Sequence, residues 1–340
     1  MAKILTIGSV CKDMFFPTGE GIIVETPDDI NAQRKISFEL GAKYHIDERH
    51  EALGGISANV AVGLVKLGHH VTIYAKIGDD ETGKWIIKQL KSIGVLVVAD
   101  FIESDCQSDL SSILIDTVTA DRVIFSNQIA NQKLIIEKEK MGHPDWIFIG
   151  DLSGAWQKNI DTIVDFAKKY DTPIVFNPRQ KTIHDDVAKI IQTISVCEIL
   201  SVNKDEAIEI VHGYKKDVLL QLLNEEEYLL ESLHEIGAKI VVLTDGVRGA
   251  WGYDGITIKH VAGKKQQAVD TTGAGDAFTS GFFAAHLNHE NMEIALKWGI
   301  ENSSNSITKY GGQDGLLDEN QMKSLIKKND LKFGFDNKIS

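Results

Sequence analysis

The pattern of apolar and polar positions changes character along the chain. From Trp146 onward, short apolar runs (WIFIGD, PIVFNP, CEILSVN and KIVVLTDG) alternate with stretches of helical period. A continuous apolar run of strand length is what a strand buried on both faces requires. Strand–helix alternation then predicts parallel βαβ units with helices on both sides of one sheet. Lys3 to Val10 reads as a further buried strand ending at a Gly-Ser turn, and VTIYAKIG as another, followed by the helix KWIIKQLKSIG. ANVAVGLVKLG reads as a helix ending at Gly68, a residue type common past helix ends. Residues of about 14–53 and 95–128 differ, because KISFEL, KYHIDE, SSILIDTV and DRVIFS alternate as half-exposed strands do. They predict one small sheet, fed by two insertions, that covers the main domain as a lid. Ala250 to Val269 reads as short antiparallel strands, and helices are expected at about 274–287, 290–307 and 318–328. The expected fold is α/β: one domain over residues 1–330, a doubly wound and mostly parallel sheet flanked by helices, with the β lid. The polar stretch 331–340 is expected to fray as a C-terminal tail.

One segment breaks this alternation. Asp270 to Ala285 reads DTTGAGDAFTSGFFAA, apolar almost all round after Asp276, and so predicts a buried helix. Gly273, Ala274 and Gly275 fall where that helix begins, with unpaired N–H groups and the positive end of the helix dipole. That is an anion site. Asp276, acceptor-only when ionised, can take a proton but cannot bind phosphate. Phosphate cradle and carboxylate together suggest phosphoryl transfer to a hydroxyl, with the carboxylate as base. GAGD by itself fits a glycine-rich turn capping a core helix equally well.

Composition narrows the partners. A net charge of -13 over 340 residues argues against nucleic acid, whose backbone asks for stripes of Lys and Arg. Cys11, Cys106 and Cys197 fit neither zinc spacing nor a disulfide framework, which implies a reducing compartment. MAKILTIGSV reads as a strand rather than a signal peptide, and no apolar run reaches membrane-spanning length, so a cytoplasmic enzyme without a membrane partner is expected. GDDETGK, residues 78–84, matches a P-loop in outline, but Trp85 stands where Ser or Thr must bind magnesium, and three acids would repel phosphates. No G-x-G-x-x-G follows the first strand, which leaves a nicotinamide dehydrogenase unsupported. The histidines show no metal spacing.

The DTTGAGD helix start resembles the C-terminal signature of the ribokinase-like (PfkB) sugar and nucleoside kinases, and looser motifs extend the resemblance from residue 3 to about 326. It implies that Asp276 is the catalytic base and that Gly273, Ala274 and Gly275 form the anion hole. It also implies that Asp13, Gly54, Gly55 and Asn59 contact the acceptor. For the nucleotide it implies Asn203 and Glu206 (N-x-x-E), Thr244, Gly246 and Gly249 (T-x-G-x-x-G), and Asn302 or Asn305 at the adenine. Glu206 would organise Mg2+ through water, with Asp270 as a second candidate, while Asp270 and Thr272 with the loop 306–315 would hold K+ in some members. Read by residue chemistry alone, Asn203 with Glu206 is close to a helix capping box, and Thr244 to Gly249 is a hairpin turn. The stretch KIGDDETGK, residues 76–84, resembles the family's GD-x-x-G, which implies a structural helix cap. The implied partners are ATP and a sugar, or a nucleoside stacked on Phe15 or Phe16, with a homodimer through the lid. A non-catalytic sugar sensor is the reading from another class. Asn177-Pro178-Arg179 departs from the Asp-x-Asn-x-Arg of many sugar kinases.

Overall fold

The computed structural model describes residues 1–26, 34–98, 101–119, 121–215 and 217–336, the last eight of these by backbone alone. A nine-stranded sheet forms the middle layer. Its strands lie in the order Ile258–Val261, Ala250–Tyr253, Ile240–Thr244, Ile199–Asn203, Ile174–Phe176, Trp146–Ile149, Lys3–Ile7, His70–Tyr74 and Leu96–Val97. From Ile240–Thr244 to Leu96–Val97 every pairing is parallel, and the two strands beyond Ile240–Thr244 are antiparallel. The central strands are the continuous apolar runs of the sequence. Ile147, Phe148, Ile149, Val175 and Leu200 are buried, as parallel strands covered on both faces must be.

Two helices pack most closely on each other. Ala274–Leu287 follows the DTTG loop, and Met292–Ser306 follows a cap in which Asn291 accepts from the Ile294 N–H. Their contact is made of small residues. A Cβ on Gly281 would stand 2.7 Å from the Trp298 carbonyl oxygen, and one on Gly299 would stand 2.6 Å from the Phe278 ring. Both positions therefore exclude any side chain, and the helix axes approach closely. Ser201 on the sheet and Thr279 on the first helix hydrogen-bond at 2.9 Å, which fixes that helix's height above the strand ends.

The two strand-alternating insertions join in one four-stranded sheet, in the order Arg122–Ser126, Leu110–Asp116, Cys11–Thr18, His50–Gly54. Its own core is only Phe15, Ile113 and Ile115, completed by Ala52 and by Tyr310 from a loop of the main body. The expected limits of the lid shift. It begins at Cys11 rather than 14, and Leu96–Val97 belongs to the main sheet edge. Arg34–Ser37 pairs with Ile22–Glu25 as a separate hairpin, and KYHIDE forms no strand. Residues 27–33 of the first insertion lie outside the described residues. The expected tail also differs, since the last helix runs Glu319–Asp336, with 337–340 outside the described residues.

Asn302 departs from its expected place at a nucleotide. It is fully buried, donates to the Ala277 carbonyl at 2.9 Å and to Ser280 Oγ at 3.2 Å, and accepts from the Leu317 N–H at 2.9 Å. The side chain ties two helices to the final crossover and leaves nothing for a ligand to touch. Asn305 likewise donates to the Gly315 carbonyl, at 2.6 Å. Replacing Asn302 with Ala strands the Leu317 N–H and should cost roughly 1–3 kcal/mol. Urea melts of Asn302→Ala should show that loss, with ATP affinity unchanged; a weakened ATP affinity at full stability would restore the nucleotide role.

Candidate active site

The order of the main sheet reverses between Lys3–Ile7 and Trp146–Ile149. Ligands of open α/β sheets bind outside the carboxyl ends of the strands at such a switch point. Asp151 and Arg179 follow the carboxyl ends of Trp146–Ile149 and Ile174–Phe176, Asn203 and Thr244 end the next two strands, and Asp13 lies in the lid strand that follows Lys3–Ile7. A cavity of about 340 Å³ opens between this crevice and the inner face of the lid, lined by Asp13, Ser111, Asp151, Arg179, Gly273 and Asp276 among others.

Asp276 sits in the first turn of the Ala274–Leu287 helix. Gly273, in the left-handed region at φ 75°, turns the chain into the helix, and no side chain caps it. The first-turn amides of Gly275 and Asp276 therefore stay open. A Cβ on Gly275 would meet nothing within 4 Å, so backbone faces empty space where an anion can approach. Asn59 Nδ2 donates to Asp276 Oδ2 at 2.8 Å, and Asn59 Oδ1 accepts from Gln313 Nε2 at 3.0 Å. Asp276 keeps a window onto the cavity, yet protein atoms crowd its carboxylate. Loss of solvation pushes its pKa up to about 7, the nearby charges of Asp151 and Asp13 add to the rise, and Asn59 and Arg179 oppose it.

The acceptor-side expectations converge on the same cavity. Asp13 is buried and accepts from Cys11 Sγ at 3.2 Å; burial first, then the Asp270 charge, raise its pKa. Gly54 is paired with Cys11 on the neighbouring strand, and a Cβ there would run into the Asp13 carboxylate. Gly55 starts the Ile56–Lys66 helix at φ 92°. Asn59 faces the cavity, but its amide is committed to Asp276 and Gln313. Phe15 is fully buried beneath Tyr310, and Phe16 alternates to the opposite side of the sheet from Asp13, so neither presents a face to a base.

On the other flank, Asn203 and Glu206 form the full capping box. Asn203 Oδ1 accepts from the Glu206 N–H at 2.9 Å, and Glu206 Oε2 accepts from the Asn203 N–H at 3.0 Å. Burial pushes the Glu206 pKa up to about 7, with Asp276 among the charges that contribute. Its Oε1 has no hydrogen-bond partner among the described residues. Thr244 ends a central strand, and Gly246 to Gly249 make the turn to Ala250–Tyr253, closed by the Asp245 N–H donating to the Gly249 carbonyl at 2.9 Å. Asp270 is 1% exposed. Its Oδ1 accepts from the Thr272 N–H at 2.9 Å and from Thr272 Oγ1 at 2.7 Å, and its Oδ2 from the Gly311 N–H at 2.9 Å. Both of its carboxylate oxygens are thus taken up by donors of its own loop and of the 306–315 loop.

Asp151, Gln128 and Gln313 escape a reading of the sequence. Arg179 Nη1 pairs with Asp151 Oδ2 at 2.7 Å, and Gln128 Nε2 reaches the same oxygen at 3.3 Å. The available signal was repetition: Asp151 follows a buried strand and a glycine, much as Asp13 follows Lys3–Ile7. Among the described residues no group of three His, Cys, Asp or Glu side chains is gathered for a metal, and no helix is long and apolar enough to cross a membrane.

Residues 25–319 match the model of the pfkB family carbohydrate kinases. The chain is 27% identical over 304 residues to an ATP-dependent 6-phosphofructokinase of Thermoanaerobacterium thermosaccharolyticum, covering 85% of this chain and 89% of that one. It is 26% identical over 286 residues to a ribokinase of Bacillus subtilis, covering 80% and 87%. The solved nucleoside kinase of Burkholderia thailandensis in complex with inosine superposes with a TM-score of 0.75 at 15% identity, over 96% of both chains, a likeness of fold.

The crowding of Asp276 has a stability signature. A carboxyl whose pKa is raised on folding holds its proton longer in the folded than in the unfolded chain. Its contribution to stability is therefore favourable at low pH and is lost as pH climbs from about 4 toward 7. Asp276→Asn removes the ionisation. Melting curves should place the variant above the wild type at pH 8, with the gap closing at pH 5. A gap independent of pH would mean that Asp276 ionises as freely as in water.

Proposed function

The chain belongs to the pfkB family of carbohydrate kinases, and we propose that it moves the γ-phosphoryl group of ATP to a hydroxyl of a sugar held between lid and sheet. One observation carries this reading: a carboxylate, Asp276, stands inside an uncapped helix start and opens on the same cavity as Asp13. Asp276 takes the acceptor's hydroxyl proton. The acceptor oxygen bonds to the γ-phosphorus, the bond from that phosphorus to the β–γ bridging oxygen breaks, and ADP leaves with the electron pair. The amides of Gly273 and Gly275, joined by that of Ala274 once it leaves the Thr271 carbonyl, face the oxygens of the group in transit, a charge-stabilising arrangement. Asp13 accepts from acceptor hydroxyls, and Gly54 and Gly55 bring backbone beside them. Asn203, Thr244, Gly246 and Gly249 line the nucleotide's approach.

Magnesium bound to the nucleotide phosphates would neutralise their charge, and the Oε1 of Glu206 suits a water of its shell. A monovalent cation such as K+ suits Asp270. That carboxylate is buried without an ion-pair partner among the described residues, and a buried charge asks for one. The sugar reading is preferred to a nucleoside because Phe15 and Phe16 offer no stacking face. The retained base and uncapped helix start weigh against a non-catalytic sensor. Exposed Ile22, Val24, Val123 and Phe125 on the lid and its hairpin suit a second copy of the chain, which light scattering would reveal as a dimer.

Asp276→Asn keeps shape and volume but not basicity, so turnover should fall by ~10²–10⁴ with ATP affinity retained. ADP release on a panel of sugars measures it, and turnover within a few-fold of wild type would place the base elsewhere. In the wild type kcat/KM should decline below about pH 7, where Asp276 and Glu206 take up protons. Asp13→Ala should weaken acceptor binding by roughly 1.5–3 kcal/mol, the worth of a charge-assisted hydrogen bond, and ATP binding far less; calorimetry with each ligand separates the two.

A further inference from the structure

Arg122 opens the outer strand of the lid, paired across from Ile115. Its Nη1 donates to Thr271 Oγ1, in the loop that leads into the Gly273–Gly275 turn. The Thr271 carbonyl in turn accepts from the Ala274 N–H at 3.3 Å. Arg122 lines the same cavity as Thr272, Gly273 and Asp276. Among the described residues no carboxylate lies within ion-pair distance of it. The other arginine of the cavity, Arg179, is engaged with Asp151.

The charge balance of the cavity gives this cation a use. Asp13, Asp109, Asp151 and Asp276 all line it. A phosphoryl group arriving at the helix start meets these carboxylates, and a helix dipole offers only about half a unit of positive charge. A guanidinium presents its donors in a rigid fork that matches phosphate oxygens, and one donor on Thr271 leaves the others unspent.

Building on the kinase reading above, we propose that Arg122 is a catalytic residue carried by the lid. Anchored on Thr271, it turns its remaining N–H groups to the transferring phosphoryl group, so that charge compensation is complete only when the lid edge meets the catalytic loop. With the lid edge away, the phosphoryl group faces carboxylates without this cation, and transfer to water is disfavoured. The observation that carries the proposal is the lid-to-loop contact made by an arginine without a carboxylate partner.

The test uses the full chain with Mg·ATP and D-ribose, D-fructose or fructose 6-phosphate as acceptor. Arg122→Gln should lower kcat by ~10²–10³, the scale of a lost charge-stabilising donor, with the KM for ATP within a few-fold. Arg122→Lys should recover part of the loss. Calorimetry with ADP and aluminium fluoride, a mimic of the group in transit, should show binding weakened by a factor similar to the kcat loss, while ADP alone binds as before. A kcat within threefold of wild type overturns the inference. So does a loss confined to the KM for fructose 6-phosphate, which would make Arg122 a ligand of the acceptor's own phosphate. A melting temperature lowered alike in the Gln and Lys variants would make the role structural and also overturn it. A wild type that phosphorylates none of the three acceptors removes the kinase reading for them, and this inference with it.

Discussion

Asp276 is held between two opposed electrostatic demands, and the rest of the site is arranged around them. The uncapped helix start favours a negative charge. Desolvation and the Asp13 and Asp151 carboxylates disfavour it. Neither demand wins outright, which leaves the carboxyl near the middle of its titration at neutral pH. Asn59 tilts the balance toward the ionised form by donating to it, and Gln313 orients Asn59. A carboxyl in deep apolar surroundings would stay protonated, whereas one on an open surface would be too weak a base.

This balance depends on packing that has no chemistry of its own. Helix Ala274–Leu287 must stand at a fixed height over the carboxyl ends of the strands. Gly281 and Gly299 let Met292–Ser306 lie against it without an intervening side chain. Asn302 fastens the pair to Leu317, and Ser201 fastens the first helix to the sheet. The polar groups buried here are hydrogen-bonded to one another, so each confers position without leaving an orphaned donor.

Much of this was legible in the sequence for a physical reason. Strands buried on both faces must be continuous apolar runs, so the central sheet announces itself. Strands covered on one face alternate, and that alternation marked Leu110–Asp116 and Arg122–Ser126 of the lid, whereas KISFEL and KYHIDE alternate without joining its sheet. DTTGAGD places glycines, open amides and a carboxylate within one turn, and Asn203 with Glu206 forms a local capping box; both are short-range and can be read directly. Asp151 and Gln128 are different, because they acquire meaning only when separate strand ends come side by side. Arg122, in a strand exposed at every residue, reads as an ordinary solvated charge until its contact with Thr271 is seen. Asn302 cannot be told from its neighbours in the sequence because residues 301–306 of its helix are polar all round, and periodicity does not say which polar residue faces inward.

The borrowed ring in the lid has an evolutionary consequence. Three side chains are too few to stabilise a sheet alone, so the lid leans on Tyr310, whose neighbour Gly311 donates to Asp270 at the root of the catalytic loop. The strand ends near Tyr310 are therefore tied to the loop that leads into the Ala274–Leu287 helix. The cavity face formed by Cys11, Ser111, Ile124 and Ser126 makes its side-chain hydrogen bonds within the lid, Cys11 to Asp13 and Ser111 to Cys11 and Ser126. Drift can rewrite that face residue by residue while the anchoring end stays put, a modularity by which one body could be refitted to many sugars.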